Sequence, residues 1–156
     1  MELNEVKKLS IELIENSLVA YLSTIDADGF PITRALLNTR YKERYPEFSK
    51  FFNELEDKYV MYFSTNTSSS KIDHIKENPK VSVYFCDPQD FKGVMFGGEA
   101  EIVEDMDIKR QFWVDASIRY YPKGLEDPDY TILRFNPRNA IFYYKLQQFK
   151  FALSGQ

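Results

Sequence analysis

The sequence predicts a mainly β protein in which six or seven short strands and a few helices form a closed or split antiparallel barrel. Three observations carry that expectation. The apolar period changes from helical to alternating after residue 17. An Asp-Gly turn joins the first two alternating runs, a hairpin signal because glycine takes positive φ without strain. The remaining apolar runs are short and punctuated by Gly, Pro, Asn and Asp, without the regular strand–helix alternation of a doubly wound sheet.

Val6, Leu9, Leu13 and Ile14 lie at helical spacing, which predicts an amphipathic helix over 4–17. Leu18 to Ile25 reads as a strand, Asp26-Ala27-Asp28-Gly29 as a turn, and Phe30 to Leu37 as a second strand. Arg40 to Lys50 is polar and aromatic and leads into a short helix. Tyr59 to Thr65 is the third strand, followed by a hydroxyl-rich turn and a helix near Ser68 to Glu77. Asn78-Pro79 stops that helix, since proline biases the residue before it away from helix.

Val81 to Cys86 is the fourth strand, ended by Asp87-Pro88. Val94 to Val103 is the fifth, and its Gly97-Gly98 pair predicts a bulge or a close backbone approach. Asp105 is a predicted N-cap for a helix carrying Ile108, Phe112, Trp113 and Ala116. After a loop from Tyr120 to Asp129 come two further strands, Tyr130 to Phe135 and Ala140 to Lys145, and Phe149 to Leu153 adds an edge. With no repeat or linker, 1–156 reads as a single domain.

Bulk properties narrow the function. The formal charge is −4, with no dense basic run, so general attraction to nucleic acid or an anionic membrane is not expected. The one cysteine, Cys86, allows no internal disulfide, and no Cys/His cluster suits zinc. No apolar stretch is long enough to span a bilayer and the N-terminus lacks a signal-peptide pattern, so a cytoplasmic protein is expected. The aromatic share is 16%, and rings of that bulk suit sheet cores, interfaces and flat ligands.

The segment richest in chemistry runs Ser64-Thr65-Asn66-Thr67-Ser68-Ser69-Ser70-Lys71, where a strand gives way to a helix. Hydroxyls, free backbone amides and a lysine gather at a helix N-terminus, whose positive dipole end favours an anion. The P-loop spacing is missing. Read from these residues alone, two accounts stay open: a phosphate site, or plain capping of the helix by serine and threonine.

The run T-N-T-S-S-S-K-I-D-H-I-K-E-N-P-K-V-S-V resembles the flavin-phosphate segment of the pyridoxamine 5'-phosphate oxidase superfamily. The resemblance extends to L-S-T-I-D-A-D-G-F-P-I-T-R-A-L-L upstream, and downstream to G-G-E-A-E with Asp105 and Trp113. The loop Y-Y-P-K-G-L-E-D-P-D-Y is similar to the general stress protein branch. The resemblance implies a six-stranded, Greek-key, FMN-binding split barrel that works as a homodimer, with the flavin in the cleft between protomers. It implies that Arg34, Ala35, Leu36 and Leu37 line the isoalloxazine and ribityl part of the site. Ser64, Thr65, Ser69, Ser70 and Lys71 would meet the ribityl chain and phosphate. Arg34 offers fixed N–H donors and Lys71 a point charge.

The chain also departs from that pattern. Ser70 stands where the oxidases carry an arginine, and a neighbour such as Arg40 is a possible substitute. Gly93 replaces a flavin-contacting glutamine. Positions that hold substrate phosphate in the oxidases fall near Gln111, Asp115 and Arg119. The terminal R-L-H-D-R motif is absent, and after Tyr143 the chain reads Tyr144-Lys145-Leu146-Gln147-Gln148. Oxidation of pyridoxamine phosphate is therefore not expected.

The expected function is an FMN-dependent oxidoreductase with a small-molecule redox substrate and no catalytic dyad of its own. The alternatives are a non-catalytic protein of stress response that binds or senses flavin, FAD, F420 or haem, and a barrel that has lost its ligand. His74 reads as a partly exposed helix residue, Cys86 as a small buried hydrophobe, and Glu99 and Glu101 as a strand's solvent face.

Overall fold

A computed structural model describes residues 1–153; residues 154–156, the end of the predicted domain, lie outside the described residues. The first helix, α1 (Leu3–Asn16), buries Val6, Leu13 and Ile14. Ser10 on the same face is satisfied by donating to the Val6 carbonyl at 2.8 Å. In β1 (Val19–Ile25), Ala20, Leu22 and Thr24 point inward and are fully enclosed. The turn to β2 (Pro31–Leu37) is held by the Asp26 carboxylate, which accepts from the Asp28 and Phe30 amides at 2.9 Å each. Gly29 supplies the positive φ, +84°, that the turn needs.

A 3₁₀ turn (Pro46–Phe48) and α2 (Ser49–Glu54) precede β3 (Met61–Asn66) and α3 (Ser70–Glu77). Then come β4 (Lys80–Asp87), β5 (Lys92–Val103) and α4 (Met106–Gln111). Asp105 caps α4, accepting from the Asp107 and Ile108 amides. The helix is shorter than its sequence predicts: Phe112 is its C-cap, and Ala116 falls in a separate 3₁₀ turn, Asp115–Arg119.

The strands follow the antiparallel order β2-β1-β4-β5-β6-β3. The end strands β2 and β3 come back into contact without forming a ladder, so the sheet curls into a split barrel. Six strands lie on this path, the number that the resemblance implies for the barrel, and β7 (Gln147–Ala152), where an edge was predicted, pairs with β6 as a seventh.

The two strands predicted from Tyr130 to Lys145 are one, β6 (Tyr130–Tyr144). Asn136-Pro137-Arg138-Asn139 reads as a break, yet β6 passes through it by a bulge. Gly97 pairs with Asn139 and Gly98 with Pro137, leaving Arg138 as the extra residue. The predicted close approach at the glycine pair is real: a Cβ on Gly98 would sit 2.2 Å from the Asn136 carbonyl oxygen. One edge of β6 pairs with β5; the other pairs first with β3 and then with β7.

Two apolar clusters result. The barrel interior holds Leu22, Phe63, Val83, Phe85, Phe96, Phe135 and Phe142, closed at one side by α1 and α3. Outside it, Phe48, Phe52, Tyr62, Phe112, Tyr130 and Ile132 form a second cluster under α2 and α4. Trp113 joins that cluster, edge-on to Tyr130 at 5.1 Å.

Candidate functional site: two cations at the mouth of the barrel

The predicted hydroxyl-rich turn divides into two parts. Thr67 and Ser68 belong to structure. The Thr67 hydroxyl donates to the Pro128 carbonyl and meets Thr131, and the Ser68 amide donates to the Asp129 carboxylate. These bonds pin the turn to the segment that enters β6. Thr65, Ser69 and Lys71 form the other part. Ser69 is the N-cap of α3, so capping is present. Its bond from the Lys71 amide is long, 3.4 Å, whereas the Lys71 ammonium donates to the same oxygen at 2.6 Å. The ammonium also donates to Thr65 Oγ1 at 2.8 Å.

Lys71 is only 6% exposed, and among the described residues it has no carboxylate partner. Burial holds its pKa below the ordinary lysine range, and the nearby Arg34 guanidinium lowers it further. Arg34 reaches this place from β2. It pairs across the ladder with Leu22, whose side chain points into the barrel, so Arg34 lies on the inner side of the strand at its open edge. Its Nη1 donates to Thr24 Oγ1 at 2.7 Å and to the Ile32 carbonyl at 2.9 Å. Burial lowers its pKa as well, and it too lacks a carboxylate. Two neighbouring cations whose partners among the described residues are all neutral oxygens make a strong local field for an anion.

The other predicted residues separate by strand alternation. Leu36 faces the same way as Arg34 and packs against the barrel core. Ala35 and Leu37 are exposed on the opposite face of β2. Leu37 and Ser64 line one cleft of about 220 Å³, walled by Phe112, Ala116, Arg119 and Tyr120. Tyr120 and Tyr121, at the start of the loop to Asp129, line this cleft too. Ser70 is exposed at the first turn of α3. A larger cavity of about 470 Å³ lies between α1 and the β4–β5 turn, beside Leu13, Tyr21, Cys86 and Lys92, but holds none of the predicted site residues.

Arg40 is committed elsewhere. It is buried, donates to the Lys58 carbonyl at 2.5 Å and stacks over the Phe52 ring at 5.0 Å. Sequence reasoning missed Thr24 beside the cations, and it read His74 as a partly exposed helix residue, which it is, without seeing their contact. Thr24 is completely enclosed, and its Oγ1 lies 2.8 Å from His74 Nδ1 on α3. Alternation marks Thr24 as inward-facing among apolar neighbours, a signal for a buried polar group, but nothing local names its partner.

The family model for pyridoxamine 5'-phosphate oxidase matches residues 7–144. No functionally curated protein matches the sequence. A Clostridium acetobutylicum protein related to general stress protein 26 of B. subtilis, of the pyridoxinephosphate oxidase family, has a similar structure. The two are 29% identical with a TM-score of 0.76, over 97% of this chain and 96% of that one. General stress protein 26 from Bacillus anthracis shares the fold at 24% identity and TM-score 0.66, over 97% of this chain and all of the other (100%). A heme binding protein from Mycobacterium smegmatis shares it at 14% identity and TM-score 0.63, over 92% of this chain and 57% of that one.

Proposed function

Because this chain belongs to the pyridoxamine 5'-phosphate oxidase family, we propose that it binds FMN through Lys71 and Arg34 and works as a flavin-dependent oxidoreductase. The observation that carries the reading is the buried Lys71 ammonium, held by two hydroxyls and faced by a second cation instead of a carboxylate. A phosphate dianion supplies the missing counter-charge, and Thr65 and Ser69 orient the ammonium toward it. Leu37 and Ser64 line the cleft of about 220 Å³, on the faces of β2 and β3 opposite to Arg34 and Thr65, and offer one apolar and one polar contact to a flat ring. FMN supplies the redox chemistry when bound, while the chain binds it, orients it and limits access of water.

The reading includes a homodimer whose second protomer completes the cleft. A row on the outer face of the sheet supports it: Ala35 lies beside Tyr21, Tyr21 beside Tyr84, and Tyr84 beside Met95. Both tyrosines are exposed, and aromatic residues of this kind are enriched at interfaces.

A second reading, non-catalytic binding of a flavin or of FAD, F420 or haem in stress response, is favoured by Gly93. A Cβ there would lie 2.2 Å from the Tyr84 hydroxyl, so the tyrosine fills the place from which a side chain would reach a ligand.

Gently purified protein is expected to be yellow, to carry FMN by native mass spectrometry, and to bleach with NAD(P)H or dithionite. A colourless protein that leaves the fluorescence of added FMN unchanged overturns the reading. Reduced bound flavin that reacts no faster than free flavin with any acceptor selects the binding role instead, and the co-purified mass tells FMN from FAD, F420 or haem.

A further inference from the structure

Arg34 is anchored by one nitrogen. Both protons of Nη1 are engaged, one by Thr24 Oγ1 and one by the Ile32 carbonyl, while Nη2 and Nε have no partner among the described residues. The guanidinium is planar, so fixing one corner fixes the direction of the other donors. Its side-chain anchor, Thr24 Oγ1, lies on β1 with no exposed surface and has a single proton to give. Since that oxygen accepts from Arg34, the proton is free to go to His74 Nδ1, 2.8 Å away on the fifth residue of the helix that begins with Ser70 and Lys71. The chain Arg34–Thr24–His74 thus joins β2, β1 and α3, the same elements that bring Arg34 beside Lys71.

We propose that Thr24 and His74 are a positioning pair that presents the Arg34 guanidinium to a ligand phosphate, so that His74, without touching the ligand, sets the preference for phosphorylated over unphosphorylated flavin. The inference rests on the reading of Lys71 and Arg34 as the phosphate site. In this arrangement the imidazole accepts at Nδ1 and carries its proton on Nε2. Removing the acceptor leaves the Thr24 proton without a directed partner, and the hydroxyl is free to rotate its lone pair away from Arg34. The loss then falls on the phosphate contact and not on the ring.

The test compares FMN and riboflavin, which differ by the phosphate alone, in fluorescence titrations of the full chain. Thr24→Val removes the hydroxyl at constant shape, and His74→Leu removes the acceptor on a half-buried helix face. Each is expected to lower the ratio of FMN to riboflavin affinity about ten-fold, the size of one charge-assisted hydrogen bond. Thr24→Ser keeps the hydroxyl and His74→Asn places an oxygen where Nδ1 stood, so both are expected to retain the ratio. If Thr24→Val does not fold, the two His74 variants decide. Variants that weaken both ligands equally, or neither, while the wild type still prefers FMN, overturn the positioning role and leave the phosphate site standing. A wild type with no preference for FMN overturns both.

Discussion

Replacing Lys71 with methionine keeps the length of the side chain and removes its charge. Because the ammonium is buried beside another cation, Lys71→Met is expected to stabilise the ligand-free chain by about 1 kcal/mol and to weaken FMN by about 10- to 100-fold. Urea unfolding and flavin titration read the two effects separately, and a loss of both stability and affinity would contradict the account. The same residue predicts a pH dependence. Its folded pKa lies below the ordinary value of 10.5. Between the two values the unfolded chain binds more protons than the folded one, so this group's contribution raises stability as pH rises. Half-buried Tyr59 and Tyr121 and buried Tyr130, whose pKa values are raised by desolvation, act in the opposite sense. The difference between wild type and Lys71→Met isolates the lysine, and it should narrow with increasing pH and shrink when FMN is bound. Lys71 was legible in the sequence because everything that marks it lies within one turn. The Thr24–His74 contact was not, since fifty residues separate its partners and only the packing of α3 on β1 brings them together.

At the scale of elements, the β6–β7 connection turns on Lys145 and Leu146, with φ of 50° and 63°. Two consecutive positive φ values are those of a type I′ turn, which favours Asn-Gly. The left-handed conformation costs an ordinary residue roughly 1–2 kcal/mol. Changing Lys145-Leu146 to Asn-Gly is therefore expected to stabilise the protein by about 1–2 kcal/mol, seen as a higher urea midpoint with FMN affinity unchanged. An unchanged or lower midpoint would show that the turn residues contribute contacts that outweigh the strain. This turn also explains how the end of the sequence was read. The β1–β2 hairpin announces itself by Asp28-Gly29, whereas Lys145-Leu146 carries no turn signal. Pro137 reads as a strand stop for the same local reason. The bulge opposite Gly97 and Gly98 accommodates it, and that accommodation depends on a neighbour some forty residues away.

For the molecule as a whole, local patterning revealed the strands but not their order, because β3 finds its ladder partner in β6 across more than sixty residues. Association is the property that belongs to this scale. Tyr21→Glu places a charge in the exposed row on β1, where the fold tolerates it and an apolar interface does not. Sedimentation at micromolar concentration is expected to show a dimer for the wild type and a monomer for the variant, with FMN binding weakened in parallel. A wild-type monomer would remove the two-protomer cleft. The long β6 has one more consequence, which concerns synthesis. It is the ladder partner shared by β3, β5 and β7, and it is made after β3 and β5. A nascent chain that has reached Asp129 holds two strands whose amide edges await a template still inside the ribosome. Closure is thus a late event in translation. A version halted at Asp129 is expected to collect in the insoluble fraction, or on chaperones that shield strand edges, while one extended through Tyr144 is released soluble.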